Sequence, residues 1–143
     1  MQTKTFLNVR YAETDQMGIA HHSNYAVWFE VGRTHFLKAV GFSYSEIEKK
    51  GILFPLYELN CRFRSPAKYE DDVVVLTTLK SCSRVRVCFE YQVFNVLTNQ
   101  LIATGETMHA WTDKNLKPID AKKALPELFS MLNEITIKEK GEN

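Results

Sequence analysis

Alternating polar and apolar residues near the beginning of the chain predict a β-strand. Between Thr3 and Glu13, successive side chains divide between two faces. One face contains Thr5, Leu7, Val9 and Tyr11. A period of two residues is that of a strand, in which neighbouring side chains point to opposite sides. The predicted strand is followed by a loop that contains Asp15 and Gly18.

From about Ser23 to Val40 the pattern changes to the period of an α-helix. Apolar positions recur there at steps of three and four residues: Tyr25, Trp28, Phe29, Gly32, Phe36 and Val40. Such a wide stripe is typical of a buried helix face. Ser23 or Asn24 can cap the N-terminus, and Gly41 stands where a left-handed C-cap is expected. Gly32 disfavours a helix, so we expect the helix backbone to approach a sheet closely at this residue.

The remainder of the chain is predicted to be mostly β. A short helical piece over Ser43–Lys50 comes first, ended by Gly51. Four strands are then predicted, over residues 53–65, 73–80, 84–96 and 101–112. Because these strands are consecutive and joined by short links, an antiparallel meander is the most economical pairing. Residues 120–135, with Pro126 near the beginning, predict a terminal helix.

Together these elements predict an α+β fold. A five-stranded antiparallel sheet would wrap around one long central helix, and a C-terminal helix would lie on the outside. The length of 143 residues is enough for one domain with a core, so we expect a single domain over residues 1–143. A sheet of this kind leaves edge strands unpaired, and we therefore expect the protein to associate with copies of itself.

Composition narrows the possible partners and the location. The formal net charge is only +1, which favours no nucleic-acid partner. Residues 1–4 are not followed by an apolar run, and no stretch approaches membrane-spanning length, so we expect neither a signal peptide nor a membrane span. The three cysteines form no CxxC pair and no even set, which favours reduced thiols and a cytoplasmic protein.

Asp15 and His22 are the first candidates for chemistry. Asp15 is either a turn residue or a carboxylate that acts as a general base or a nucleophile. It lies too early to cap a helix that starts near Asn24. His22 can orient a substrate at the helix N-terminus, or it is a partly exposed structural histidine. Because the adjacent His21 and His22 point to different sides, we expect no metal site.

Charged residues farther along the chain leave alternatives open. Glu30 and Arg33 are three residues apart on the helix, and a structural ion pair is the favoured interpretation. Glu30 is kept as a reserve catalytic carboxylate. The arginines of the predicted strands, including Arg64 and Arg84, are either solvated surface or contacts for the phosphates of an extended anionic ligand. Cys61 and Cys88 lie in apolar strands and are interpreted as buried hydrophobes instead of nucleophiles.

Several of these residues together resemble a known family. They are Tyr11, Glu13-Thr14-Asp15, Gly18, His22, Asn24-Tyr25, Glu30 and Arg33. The likeness extends through Phe63–Ala67 and Asp71-Asp72 and covers roughly residues 5 to 113. This set resembles the signature of the hotdog-fold acyl-CoA thioesterases, the 4-hydroxybenzoyl-CoA thioesterase family with its cytosolic bacterial branch.

The resemblance implies a fold, an assembly and a substrate. It implies the hotdog fold, and dimers that pair two sheets edge to edge and commonly form tetramers. It also implies an acyl-CoA substrate bound at the subunit interface, with no metal or redox cofactor. Relatives specific for hydroxybenzoyl carry Tyr at the position of His22, so the broader acyl-CoA branch is favoured here.

The resemblance also implies roles for individual residues. Asp15 matches the catalytic aspartate, and His22 matches the residue whose backbone N–H polarises the thioester carbonyl. Residues implied to shape the loop and the acyl pocket are Tyr11, Gly18 and Tyr25. Residues implied to contact pantetheine and nucleotide are Phe63, Arg64, Ser65, Pro66 and Arg84.

Two other functions remain open on the sequence. One is a hotdog-type dehydratase or hydratase that acts on acyl thioesters, for which His22 and Glu30 would move a proton and water. The other is a binding module for acyl-CoA or an acyl-carrier protein that lacks turnover. Release of free thiol distinguishes a hydrolase from both alternatives.

Overall fold

The computed structural model describes residues 1–141, so the last two residues of the predicted domain lie outside the described residues. The strands are β1 Gln2–Asn8, β2 Ile52–Leu53, β3 Leu56–Phe63, β4 Asp72–Cys82, β5 Arg86–Asn95, β6 Leu101–Ala110 and β7 Thr112–Asp113. The helices are α1 Ser23–Ala39, α2 Tyr44–Lys49, α3 Ala121–Ala124 and α4 Pro126–Gly141, and a single 3-10 turn covers Tyr11–Glu13. No helix in the described part is long and apolar enough to cross a membrane.

The main sheet has five antiparallel strands in the order β1-β4-β5-β6-β3. The predicted meander is correct for β4, β5 and β6, but it is wrong for β3, which pairs with β6 instead of β4. The reason is the segment 64–71, which leaves β3 and crosses to the opposite edge of the sheet. There it binds the chain after β1, through hydrogen bonds from Val9 N–H to the carbonyl of Asp71 and from Glu70 N–H to the carbonyl of Val9, both 2.9 Å.

The first strand ends earlier than predicted. Thr3 and Val9 are buried, but Tyr11, which we predicted to lie on the same strand face as Val9, leaves the strand and is 77% exposed. The cause is the 3-10 turn at Tyr11–Glu13, because the carboxylate of Glu13 accepts a hydrogen bond from the backbone N–H of Arg10 at 2.9 Å. The prediction that the strand continues through Tyr11 is therefore wrong.

Helix α1 is the central element that the apolar stripe predicts. Trp28, Phe29 and Phe36 are buried, and the Phe29 ring stacks on Tyr91 of β5 with 4.4 Å between the centroids. The expected N-cap is wrong, because the helix is preceded by His22 and neither Ser23 nor Asn24 caps it. Gly41 follows the helix with a φ of +96°, as the C-cap prediction requires.

Gly32 brings α1 close to strand β4. A Cβ atom at this residue would lie 2.5 Å from Oγ1 of Thr77 and 3.1 Å from Cγ1 of Val75. Both distances are shorter than ordinary van der Waals contacts, so a larger side chain would push the helix away from the sheet. The predicted close approach at this glycine is confirmed.

The C-terminal part folds as two helices instead of one. Asp120 caps α3 by accepting a hydrogen bond from the N–H of Lys122 at 2.9 Å, and α4 begins at Pro126. Leu128 and Leu132 of α4 are buried, and the helix packs beside β4. The break falls at Leu125 because Pro126 supplies no N–H to continue the first helix.

Candidate active site

Asp15 lies at the neck of a tight loop formed by residues 14–20. Its N–H donates to the carbonyl of Ile19 at 3.0 Å, and its own carbonyl accepts from the N–H of Gly18 at 2.9 Å. Oδ1 of Asp15 accepts a hydrogen bond from the N–H of Met17 at 2.9 Å. Gly18 has a φ of +79°, which only glycine adopts readily. Among the described residues Oδ2 has no hydrogen-bond partner, so one carboxylate oxygen is available for other contacts.

The crossover segment 64–71 holds this loop in place. The N–H of Ala20 donates to the carbonyl of Ala67 at 2.8 Å, and Ile19 forms a β-bridge with Lys68. The same segment carries the residues that follow Phe63. The strand order that the sequence did not predict is therefore what places Phe63–Pro66 beside the Asp15 loop.

The beginning of α1 offers a free backbone N–H group. The N–H groups of Ser23, Asn24 and Tyr25 donate to Nδ1 of His21, the carbonyl of His21 and the carbonyl of His22, at 3.2, 3.0 and 3.3 Å. Within residues 1–141, the N–H of His22 has no acceptor. It lies at the positive end of the helix dipole, where a negative charge is stabilised.

These parts surround one cavity with a volume of about 420 Å³. Its walls combine a carboxylate, an imidazole and a guanidinium with apolar and small side chains. The lining residues are Asp15, Met17, Ile19, Ala20, His22, Tyr25, Phe63, Arg64, Ser65 and Pro66. The rings of Tyr25 and Phe63 meet edge to face at 5.0 Å, and burial raises the pKa of Tyr25 to about 12.

The structure brings seven of the predicted site residues together: Asp15, His22, Tyr25, Phe63, Arg64, Ser65 and Pro66. Gly18 shapes the loop but does not line the cavity. Tyr11 lies on the surface against Tyr69, with ring centroids 5.7 Å apart. Arg84 lies in the turn before β5 and forms an ion pair with Asp120 at 3.5 Å. Glu30 lies on the exposed side of α1, away from the cavity.

The predicted ion pair between Glu30 and Arg33 is wrong. Arg33 is 9% exposed, and it donates hydrogen bonds to the hydroxyls of Tyr44 and Tyr91, at 3.0 and 3.5 Å. The two side chains separate because Arg33 points into the core and Glu30 points to solvent. Tyr91 is 58 residues away in the sequence, so helical spacing could not identify it.

Residues that the sequence did not assign to the site also contribute. Met17, Ile19 and Ala20 line the cavity. The sequence indicates this only through their apolar character in the loop between Asp15 and His22.

Glu13 and Trp28 do not line the cavity, but the Trp28 ring lies 4.7 Å from that of Tyr25, which does. Glu13 and Trp28 bind each other across 15 residues, with the indole N–H donating to Oε2 of Glu13 at 2.9 Å. No local spacing rule predicts that contact.

The cysteines and histidines do not suggest further chemistry. Burial raises the pKa of the free thiols Cys61, Cys82 and Cys88 to about 11, so they stay protonated near neutral pH. The rings of His21 and His22 lie beside each other, with 4.0 Å between their centroids and 34° between their planes, so the prediction that they point to different sides is wrong. Across residues 1–141, no group of three or more His, Cys, Asp or Glu side chains is placed to hold a metal ion.

Comparison with known proteins agrees with the class that the fold and the site define. A five-stranded antiparallel sheet around one long helix is the hotdog architecture that the sequence predicted. The profile of the thioesterase-like superfamily matches residues 9–131. The chain belongs to the thioesterase-like superfamily.

Individual relatives match over most of their length. YneP of Bacillus subtilis (strain 168), provisionally named an acyl-CoA thioesterase, is 40% identical over 126 residues, which are 87% of this chain and 91% of YneP. A DHNA-CoA thioesterase from Staphylococcus aureus superposes with a TM-score of 0.96 at 33% identity, covering 99% of this chain and 95% of that one. The gentisyl-coenzyme A thioesterase BH1999 superposes with a TM-score of 0.79 at 26% identity, covering 87% and 98%.

Proposed function

We propose that this protein hydrolyses acyl-CoA thioesters to a free acid and CoA. The observation that carries the proposal is that Asp15 and His22 line one cavity, where, within residues 1–141, the backbone N–H of His22 has no acceptor and one carboxylate oxygen of Asp15 has no hydrogen-bond partner. Acyl transfer requires a group that attacks or activates water and a donor that stabilises the oxyanion. The names of the B. subtilis and S. aureus relatives, both thioesterases, support the same activity.

The proposed reaction begins with the thioester carbonyl oxygen next to the N–H of His22. Negative charge that develops on this oxygen would meet a hydrogen-bond donor at the positive end of α1, and one such donor contributes about 3–4 kcal/mol in acyl-transfer enzymes. Asp15 would then act in one of two ways. In the first, its carboxylate attacks the carbonyl carbon and expels CoA thiolate, leaving an anhydride that water cleaves. In the second, it accepts a proton from water, and the resulting hydroxide attacks the carbonyl carbon and expels CoA thiolate. Neither route uses a metal or a redox cofactor.

The lining residues divide into an apolar part and a polar part. Met17, Tyr25 and Phe63 would contact the acyl group, because they supply the apolar walls. Arg64, Ser65 and Pro66 would contact the CoA portion, with Arg64 as the cation for a phosphate or pantetheine oxygen. The position of the cavity gives no support to the predicted roles of Tyr11, Arg84 and Glu30.

A screen for thiol release tests the proposed function. Short, long, branched and aromatic acyl-CoAs would be incubated with the protein, and free CoA would be measured with a thiol reagent that changes colour. We expect turnover above the uncatalysed rate for at least one class. Formation of an enoyl-CoA without thiol release would indicate the hydratase alternative, and tight binding without any turnover would indicate a binding module. An acyl-carrier-protein thioester of the preferred acyl group would test the choice of carrier.

We also propose that the protein forms a homodimer through strand β3, and that dimers assemble into a tetramer. β3 is one of the two edge strands of the sheet, and its exposed apolar side chains are Leu56, Tyr57, Leu59 and Phe63. A long apolar edge strand with unpaired backbone groups is a surface that another chain covers. Because Phe63 ends this strand and Arg64 follows it, and both line the cavity, the cavity would lie beside the dimer interface. The three free cysteines support a cytoplasmic location.

Replacing Leu59 with lysine is expected to weaken the dimer. The substitution places a charge in the middle of the proposed interface, and we expect the dissociation constant to rise about tenfold or more. Sedimentation velocity over a range of concentrations measures this change. Leu97→Lys is the matched control, since Leu97 is 92% exposed in the turn between β5 and β6. An unchanged mass distribution for Leu59→Lys would contradict pairing through β3.

A further inference from the structure

A buried carboxylate, Glu13, joins the Asp15 loop to helix α1. Glu13 is 5% exposed, and both of its carboxylate oxygens accept hydrogen bonds. Oε1 accepts from the backbone N–H of Arg10 at 2.9 Å, and Oε2 accepts from the indole N–H of Trp28 at 2.9 Å. Trp28 is itself only 3% exposed, so its N–H needs an acceptor from the protein.

The backbone of Glu13 holds the other end of the same loop. Its carbonyl oxygen accepts hydrogen bonds from the N–H of His21 and from the side-chain amide of Asn24, both at 2.8 Å. One residue is therefore bonded to the chain before the loop, to the chain after the loop and to the first turns of α1. We call Glu13 and Trp28 the clamp.

The charge of Glu13 strengthens the clamp. Burial by itself raises the pKa of this carboxyl, but the hydrogen bonds from the Arg10 backbone and the Trp28 indole, together with the Arg10 guanidinium 3.4 Å from Oε1, outweigh it, and the pKa is lowered overall. Glu13 is therefore a carboxylate at neutral pH, and hydrogen bonds to an ionised acceptor are stronger than those between neutral groups.

We propose that Glu13 and Trp28 are positioning residues, which set the separation between the Asp15 carboxylate and the N–H of His22. The proposal rests on the hydrolase function proposed above. Neither clamp residue lines the cavity, whereas Asp15 is carried by the loop and His22 by the beginning of the helix. Because the clamp connects these two parts, loosening it shifts the attacking group relative to the oxyanion donor. A misplacement of a catalytic group by about 1 Å is enough to lower the rate of an enzyme about 100-fold.

Two conservative variants test the clamp through kcat. Trp28→Phe removes the indole N–H and leaves one carboxylate oxygen of Glu13 without a donor. Glu13→Gln replaces one carboxylate oxygen with an NH₂ group, which then faces either the Arg10 N–H or the Trp28 N–H. We expect each to lower kcat by about 10- to 100-fold while KM stays near the wild-type value. In the double variant Glu13→Gln/Trp28→Phe, the NH₂ group of the introduced glutamine can face the introduced phenylalanine ring, which has no N–H to repel it. The kcat of this double variant is therefore expected to be no lower than that of the worse single variant.

Trp111→Phe is the matched control. Trp111 is 1% exposed, its indole N–H has no partner among the described residues, and it does not line the cavity. The same loss of an indole is therefore expected to leave kcat unchanged. Unchanged kcat in both clamp variants, or losses that multiply in the double variant, would overturn the proposed role.

Hydrogen exchange separates failure of the clamp from failure of the proposed function. If the wild-type protein cleaves no acyl-CoA, the hydrolase function fails, and exchange of the amides in residues 14–22 still reports on the clamp. We expect faster exchange there in Glu13→Gln and Trp28→Phe, with no change in Trp111→Phe. Equal exchange in all the proteins would overturn the clamp, whatever the activity.

Discussion

Replacing Asp15 with asparagine is expected to lower kcat by about 10²- to 10⁴-fold, the range that a general base contributes. Asparagine keeps the size of aspartate, and its amide oxygen can still accept the N–H of Met17, which bonds to Asp15 at 2.9 Å. The loop should therefore keep its fold, and acyl-CoA binding should stay close to that of the wild type. What the variant loses is an oxygen that can attack the thioester or deprotonate water.

Asp71→Asn provides the control for this loss. Oδ2 of Asp71 accepts the N–H of Lys68 at 2.9 Å, so this carboxylate also stabilises a loop, but it does not line the cavity. Steady-state kinetics should show a large decrease in kcat for Asp15→Asn and little change for Asp71→Asn. Near-normal turnover by Asp15→Asn would remove Asp15 from the proposed mechanism.

Turnover in water labelled with oxygen-18 distinguishes the two routes open to Asp15. If Asp15 attacks the carbonyl, water that cleaves the anhydride at the aspartyl carbon leaves the label in the Asp15 side chain. If Asp15 acts as a base, the label enters only the released acid. Mass spectrometry of the loop peptide after many turnovers therefore reports the role of this carboxylate.

A loss of stability in mild acid is the other large effect expected, and it comes from His109. This side chain is 1% exposed, and burial, together with the charge of Arg33, lowers its pKa to about 4. In the unfolded chain a histidine has a pKa of about 6.5. The unfolded state therefore binds a proton between these two values when the folded state does not. The contribution of neutral His109 to the free energy of unfolding is therefore complete above pH 6.5. It is lost as the pH falls toward 4, and the total loss is about 3 kcal/mol.

The hydrogen bond of His109 to the Phe54 carbonyl favours the protonated ring, but the chain of hydrogen bonds at Nε2 opposes protonation in the folded protein. The carbonyl of Phe54 can only accept, so Nδ1 of His109 carries the hydrogen in their 3.2 Å contact. In the neutral ring, Nε2 then accepts from the hydroxyl of Thr107 at 2.9 Å. Thr107 in turn accepts from Tyr91 at 2.6 Å, and Tyr91 accepts from Arg33. A proton on Nε2 would reverse this chain and direct a donor toward the Arg33 cation.

Urea unfolding at several pH values measures the effect, at one fixed protein concentration. The wild-type free energy of unfolding should decrease steadily from pH 6.5 to pH 4.5, above the range where most carboxylates titrate. His109→Gln should be less stable at pH 7 but should show a flatter profile over this interval. His35→Gln, at an exposed histidine on α1, should keep the wild-type profile. The same slope in His109→Gln would contradict the assignment.

Local patterns predicted most of the individual elements. The three- and four-residue steps of large apolar side chains identified α1, and the single small residue in that stripe identified its close approach to β4. Both are consequences of the helical period, which is a property of neighbouring residues. The hairpin between β5 and β6 was predicted for the same reason, because its strands are joined by a short turn. The motif around Asp15 and His22 identified the loop and the helix start that line the cavity.

Contacts between distant residues were not predictable in this way. The place of β3 beside β6 depends on where the crossover segment 64–71 finds partners, and these partners lie about sixty residues earlier, after β1. The same segment delivers Phe63 and Arg64 to the cavity. The inward turn of Arg33 toward Tyr91 and the contact between Glu13 and Trp28 are of the same kind. A buried polar group takes whichever partner the packed core brings within reach.

By itself, the sequence determined the central helix, the strands of the β-rich half and the loop with its carboxylate, because each is encoded in residues close together in the chain. Only the tertiary structure decided the strand order, the partners of the buried charges and the lining of the cavity. Those features depend on which faces are buried against each other, and burial is settled by the whole fold at once. The loop and the helix start therefore form a candidate active site only because the crossover segment 64–71 packs against the loop.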